Sequence, residues 1–213
     1  VTQEQGTQQE HPARPRLSAR KHTKILEAAV SEFRSRGYDN TSMDRVAEVA
    51  EVSKRTVYNH FSSKEALFEA MVQRLKQRCM ASDDAPFDPQ VPLETQLHAI
   101  ARKVIESNVS DDFQALSRVI LARFLHAPEL AREMLGEAEE FSVGVATWIR
   151  AACEGGQLTV PDPDLAAKQF KGLLAASTFW PQVIGRQPRP SPEEQEAIAA
   201  STVAMFLDHY RKR

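Results

Sequence analysis

The stretch TSMDRVAEVAEVSKRTVYNHF, residues 41 to 61, constrains this chain more than any other. Its apolar residues (Met43, Val46, Ala47, Ala50, Val52, Val57 and Phe61) recur at spacings that predict two short helices joined by a tight turn. SSKEAL follows at once and opens a third. The polar face left on the second helix carries Lys54, Arg55, Thr56, Tyr58, Asn59 and His60, side-chain types that reach phosphates or base edges. A helix-turn-helix whose second helix is basic suits the DNA major groove.

Cap signals sharpen the reading. Thr41, with Asp44 three residues on, is expected to cap the first helix, Ser53 the second, and Ser62 with Glu65 the third. A helix of about two turns is too short to stand alone in water, so its neighbours must hold the second one rigidly.

The string Val52-Ser53-Lys54-Arg55-Thr56-Val57-Tyr58-Asn59-His60-Phe61-Ser62-Ser63-Lys64-Glu65-Ala66-Leu67 resembles the DNA-binding signature of TetR/AcrR-family transcriptional regulators. The resemblance runs from residue 20 to residue 75 and takes in Ile25, Ala29, Phe33 and the Gly37-Tyr38 break. Two positions depart from it. Glu51 stands where the turn usually has Gly, which puts a side chain in a left-handed turn position at a modest conformational cost. Arg55 stands where a small residue is usual, so the operator sequence of relatives does not transfer.

Lys54, Arg55, Thr56 and Asn59 are candidates for base edges, since Arg and Lys suit guanine and Asn suits adenine. Thr41, Ser42, Tyr58, His60 and Lys64 match family positions that hold phosphates. Charge agrees with this polarity. Residues 1 to 80 hold 14 Lys+Arg against 10 Asp+Glu, and the remainder holds 13 against 19. A basic front and an acidic back fit a protein that docks one end on a polyanion.

Four segments are expected. Residues 1–16, polar, Gln-rich and broken by prolines, read as a flexible basic arm, either lying along DNA or a plain tail. Residues 17–80 form the helix-turn-helix domain, the proline-rich residues 81–92 a linker, and residues 93–213 a helical ligand-binding and dimerisation domain. The pattern is helical throughout, so the fold class is all-α. Helices are predicted over Leu93–Val109 and Asp111–Leu125, from Pro128 to Gly155-Gly156, from Pro163 to about Ile184, and from Pro192 to the basic end. No run approaches the ~18 apolar residues of a membrane span, and no apolar leader is seen, so a cytoplasmic protein is expected. Cys79 and Cys153 are far apart and lack metal-ligand spacing, as befits inert thiols in a reducing compartment.

The last two helices carry apolar stripes. From the resemblance, Phe170, Leu174, Ser177, Thr202, Met205 and Phe206 are expected at a four-helix homodimer interface; otherwise they close the monomer core. Phe113, Phe124, Phe141, Trp148, Phe179 and Trp180 are candidates to line an apolar pocket, because family members respond to small hydrophobic molecules there. Aromatic residues at helical spacing are more often plain core. The helix pattern of the second half, with Phe179-Trp180-Pro181 and Met205-Phe206-Leu207, also resembles the AefR-like C-terminal subgroup. His126, Glu137, Glu139 and Glu140 show no ligand spacing, and neither a nucleophile context nor a phosphate loop occurs. The expectation is therefore a non-enzymatic DNA-binding regulator without cofactor or metal. As a repressor it would bind palindromic double-stranded DNA as a dimer and be released by a small hydrophobic effector. An activator, or a sensory module with a vestigial head, are the alternatives.

Overall fold

The computed structural model describes residues 13–81, 86–135 and 142–212. Eleven helices lie among them, with no strand beyond one isolated bridge between Leu158 and Arg211, so the chain is all-α. They are α1 (Ala13–Arg36), α2 (Met43–Val49), α3 (Lys54–His60), α4 (Lys64–Ala81), α5 (Leu93–Val109), α6 (Asp111–His126), α7 (Pro128–Leu135), α8 (Val143–Glu154), α9 (Pro163–Thr178), α10 (Trp180–Gly185) and α11 (Pro192–Tyr210). Residues 1–12 of the expected arm lie outside the described residues, and α1 begins within the rest of it. Two compact units result, divided inside α4 between Leu67 and Phe68.

In the first unit, Ile25, Leu26, Ala29 and Phe33 of α1 are buried together with Met43, Val46, Ala47, Ala50, Val57 and Phe61. Of the apolar skeleton read from the sequence, only Val52 is less than fully buried. Two caps sit one residue away from their expected positions. Ser42, not Thr41, accepts from the Arg45 N–H at the start of α2. The Thr41 hydroxyl is buried and donates to the Gly37 carbonyl at 2.9 Å. Ser63, not Ser62, accepts from the Ala66 N–H at the start of α4. Ser53 caps α3 as expected, accepting from Thr56 N–H.

The second unit packs α5 against α9 and α11, with α8 against α9. Leu97, Ile100, Val104, Trp148, Ile149, Phe170, Leu174, Val203 and Phe206 form its core. Ahead of α5, Gln96 knits the proline-rich segment together. Its side chain accepts from Asp88 N–H and donates to the carbonyls of Asp88 and Val91, all within 2.9 Å.

In the expected run from Pro128, α7 and α8 are described, and residues 136–141 lie outside the described residues. The run from Pro163 breaks at Phe179 (φ −125°, ψ −62°), because Pro181 lacks the N–H that a continuing helix would give to Ser177. The Gln182 side-chain amide donates to that Ser177 carbonyl instead, at 3.4 Å.

Candidate nucleic-acid interface

The reading head is built from the turn outward. Glu51 sits at φ +52°, in the left-handed position where a glycine is usual, and Val52 N–H returns to the Ala47 carbonyl at 3.0 Å. The Glu51 carboxylate pairs with Lys24 of α1, which holds it below the usual carboxylate range. A second tie went unnoticed in the sequence. Glu32 of α1 is buried and lies 3.2 Å from Arg36 and 3.3 Å from Arg45 of α2. Its only sequence signal is the four-residue spacing to Arg36. Arg45 is held protonated more strongly than usual, first by Glu48 and then by Glu32.

α3 turns Val57 inward and leaves Lys54, Arg55, Tyr58 and Asn59 exposed. The candidates differ in how free they are. Arg55, Tyr58 and Asn59 make no side-chain hydrogen bond or ion pair among the described residues, whereas Lys54 is paired with Asp44. Thr56 shares a 2.8 Å hydrogen bond with Ser53, and half-buried His60 packs edge-on to His22, with ring centroids 5.9 Å apart. Ser42 is exposed and its oxygen caps α2.

Thr41 and Lys64 do not present themselves as phosphate ligands. Thr41 is buried and its hydroxyl is committed. The Lys64 ammonium donates to the carbonyls of Tyr38 at 2.9 Å and Thr41 at 3.1 Å, and lies 4.5 Å from the Tyr38 ring centroid. It fastens the loop between α1 and α2. Beside it, Tyr38 donates to Glu65, whose carboxyl is held low first by its own backbone N–H and then by the Ser63 hydroxyl.

Two family models match the chain. Residues 25–71 match "Bacterial regulatory proteins, tetR family", and residues 95–212 match "AefR-like transcriptional repressor, C-terminal domain". The chain belongs to the TetR family of transcriptional regulators. Among solved structures, a TetR-family regulator from Pseudomonas syringae pv. tomato str. DC3000 is 40% identical, with a TM-score of 0.78 over 91% of this chain and 98% of that one. The flavonoid-responsive regulator FrrA is 28% identical, with a TM-score of 0.72 over 92% and 99%. The HTH-type transcriptional regulator RutR of Escherichia coli (strain K12) is 30% identical over 84% of each chain.

Elsewhere in this TetR-family regulator, the aromatic residues expected to line one pocket are dispersed. Trp148 is core, packing edge-on to Phe87 and donating to Gln96 at 3.2 Å. Phe124 packs edge-on to Phe68. Phe113, Phe179 and Trp180 do come together, with centroids 5.7 Å and 4.9 Å apart along the chain of contacts. Phe141 lies outside the described residues. Of the residues expected at a dimer face, Phe170, Leu174, Thr202 and Phe206 are buried within this chain, whereas Ser177 and Met205 are exposed. The exposed apolar stripe is a different one: Leu165, Leu173, Trp180 and Ile184 on α9 and α10, with Met205 on α11. Both helices are apolar on two sides, and periodicity alone does not say which side is inside. Among the described residues no group of His, Cys, Asp and Glu could hold a metal ion, and no helix is long and apolar enough to cross a membrane.

Proposed function

We propose that this regulator represses transcription by binding a palindromic operator as a homodimer, and that a small, largely apolar effector in the C-terminal domain releases it. The observation that carries the DNA half is α3 itself. It is a short helix pinned by the Ser53 cap and the inward Val57, with Arg55, Tyr58 and Asn59 free on its outer face. Arg55 and Asn59 suit base edges together with Lys54 and Thr56; Ser42, Tyr58 and His60 suit phosphates. Thr41 and Lys64 act in this reading by shaping the loop. One reading head makes too few contacts for tight binding, and a two-fold pair reads successive major grooves.

The stripe of Leu165, Leu173, Trp180, Ile184 and Met205, with Gly172, Ala176 and Ser177 allowing close approach, supports the homodimer. An apolar aromatic effector is supported by the Phe113, Phe179 and Trp180 group and by the similarity to FrrA, a flavonoid-responsive regulator. The effector must bind the DNA-competent and incompetent states unequally to act. No catalytic step enters this reading, and the protein works where the chromosome is, in the cytoplasm.

Footprinting on the DNA upstream of its own gene, across a salt series, tests it. A protected palindrome whose affinity falls steeply with salt is expected. Weak binding without sequence preference on every promoter tried would defeat the reading.

A further inference from the structure

Inside the second unit, α5, α6, α9 and α10 bring together a cluster of buried polar side chains: Asn108, Gln114, Ser117, Thr178 and Gln182. Asn108 donates to the Thr178 hydroxyl at 3.0 Å, which donates in turn to the Leu174 carbonyl at 2.7 Å. Gln114 donates to the Asn108 carbonyl at 3.1 Å. Arg118 donates to the Gln114 side chain at 3.2 Å and to the carbonyls of Gln182 and Val183 at 2.7 Å and 3.2 Å.

Two buried atoms here make no hydrogen bond among the described residues: Ser117 Oγ and Gln182 Oε1. Ser117 is 1% exposed and Gln182 4%. A buried unpaired polar atom is costly and calls for an explanation. A helical serine ordinarily turns its hydroxyl to a carbonyl one turn back, yet Ser117 does not. Gln182 is pinned by its own nitrogen, which donates to Ser177 and Pro188 across the break made by Pro181. Flipping the amide would set its oxygen against two carbonyl oxygens, so Oε1 is held as a bare acceptor.

The apolar surroundings are aromatic. Phe113 stands one turn before Ser117 on α6, Phe179 one turn before Gln182, and these two rings touch each other. We propose that Ser117 Oγ and Gln182 Oε1 are the hydrogen-bonding pair that selects the effector, a flat aromatic molecule bearing a hydroxyl. The ring lies against Phe113 and Phe179; the hydroxyl donates to the fixed Gln182 oxygen, and Ser117 supplies the second bond. This rests on the effector-responsive reading above and adds the chemical class that the site selects.

The test is a titration of full-length protein with 4-phenylphenol and with its methyl ether, 4-methoxybiphenyl, followed by tryptophan fluorescence. Thermal unfolding of the ligand-free protein is measured alongside. Wild type is expected to bind the phenol about tenfold more tightly than the ether, because the ether lacks the donor. Ser117→Ala should narrow that preference while melting at or above the wild-type temperature, since it removes an unpaired buried hydroxyl. Gln182→Met, which keeps the bulk, should abolish the preference. Equal binding of both compounds by wild type overturns the polar pair and leaves the effector reading standing. Binding of neither compound overturns the hydroxyl-bearing aromatic class and leaves the effector reading standing. A Ser117→Ala protein that melts lower with its preference intact makes the hydroxyl a structural group, paired with buried water, and overturns the proposal.

Discussion

The Lys24 ammonium donates to the Glu51 carboxylate at 2.6 Å, tying the helix-turn-helix turn to the helix that precedes it. Glu51 is also the residue at φ +52°, so one side chain bears a backbone cost and makes a compensating contact. The two effects separate by substitution. Glu51→Ala loses the contact and keeps the strained backbone, whereas Glu51→Gly loses the contact and relieves the strain. The glycine variant should therefore melt about 3 °C above the alanine variant, although glycine loses more chain entropy on folding. An alanine variant that melts higher would show that the turn is not strained.

Arg55 and Lys64 are both cations of the reading head, and the geometry assigns them opposite work. Arg55→Ala should weaken specific operator binding by about 1–3 kcal/mol and relax preference at one base position. Equal losses on operator and random duplex would make Arg55 a phosphate contact instead. Lys64→Met should lower the melting temperature, because three carbonyls of the loop after α1 lose their donor. Its salt slope for DNA binding should stay that of the wild type. A slope reduced by about one would return Lys64 to the phosphates.

These assignments mark where the sequence stopped being informative. Helix existence was legible: α5 spans Leu93–Val109 as read, α11 starts at Pro192 as read, and the turn at Glu51 is left-handed. The near misses share a cause. Thr41 and Ser42, like Ser62 and Ser63, are adjacent hydroxyls of equal capping chemistry, and only the backbone path decides which one turns to the helix. Pro181 was legible as a breaker in principle, but the apolar run across it reads as one helix. Of the aromatic residues, Phe113, Phe179 and Trp180 come together while Trp148 and Phe124 pack elsewhere, because periodicity gives a face without saying what that face meets. Glu32 was invisible, since nothing in a lone helical glutamate says that it is buried.

The two stripes of α9 and α11 separate in the same way. Leu173→Glu and Met205→Glu place charge on exposed apolar positions. Each should halve the mass seen by sedimentation while leaving helical circular dichroism unchanged. Phe206→Ala instead opens a cavity in the core and should cost about 3–5 kcal/mol of folding stability. A dimer that survives both glutamate substitutions would move the interface off this face.

Glu32 and Glu51 both bridge α1 to the helix-turn-helix, and salt should tell them apart. The Glu51–Lys24 pair is solvent-exposed on both sides, with side chains 78% and 52% accessible, whereas the Glu32 carboxylate is only 8% accessible. Screening at 1 M salt shortens the reach of a surface charge to about 3 Å and leaves buried contacts largely intact. Glu51→Gln should therefore lower the melting temperature slightly in dilute buffer and not at all in 1 M salt. Glu32→Gln should lower it in both, because Arg36 and Arg45 lose the negative charge they share and face an amide in its place. Acid gives the same division for Glu51 by another route. Its folded carboxyl is held below the usual range by Lys24, so the pair contributes fully above that range and fades as pH falls through the lowered value. The gap between wild type and Glu51→Gln should close on acidification, measured by melting from pH 7 downward. A gap that widens in acid would mean that Lys24 does not hold the Glu51 carboxylate in the folded protein.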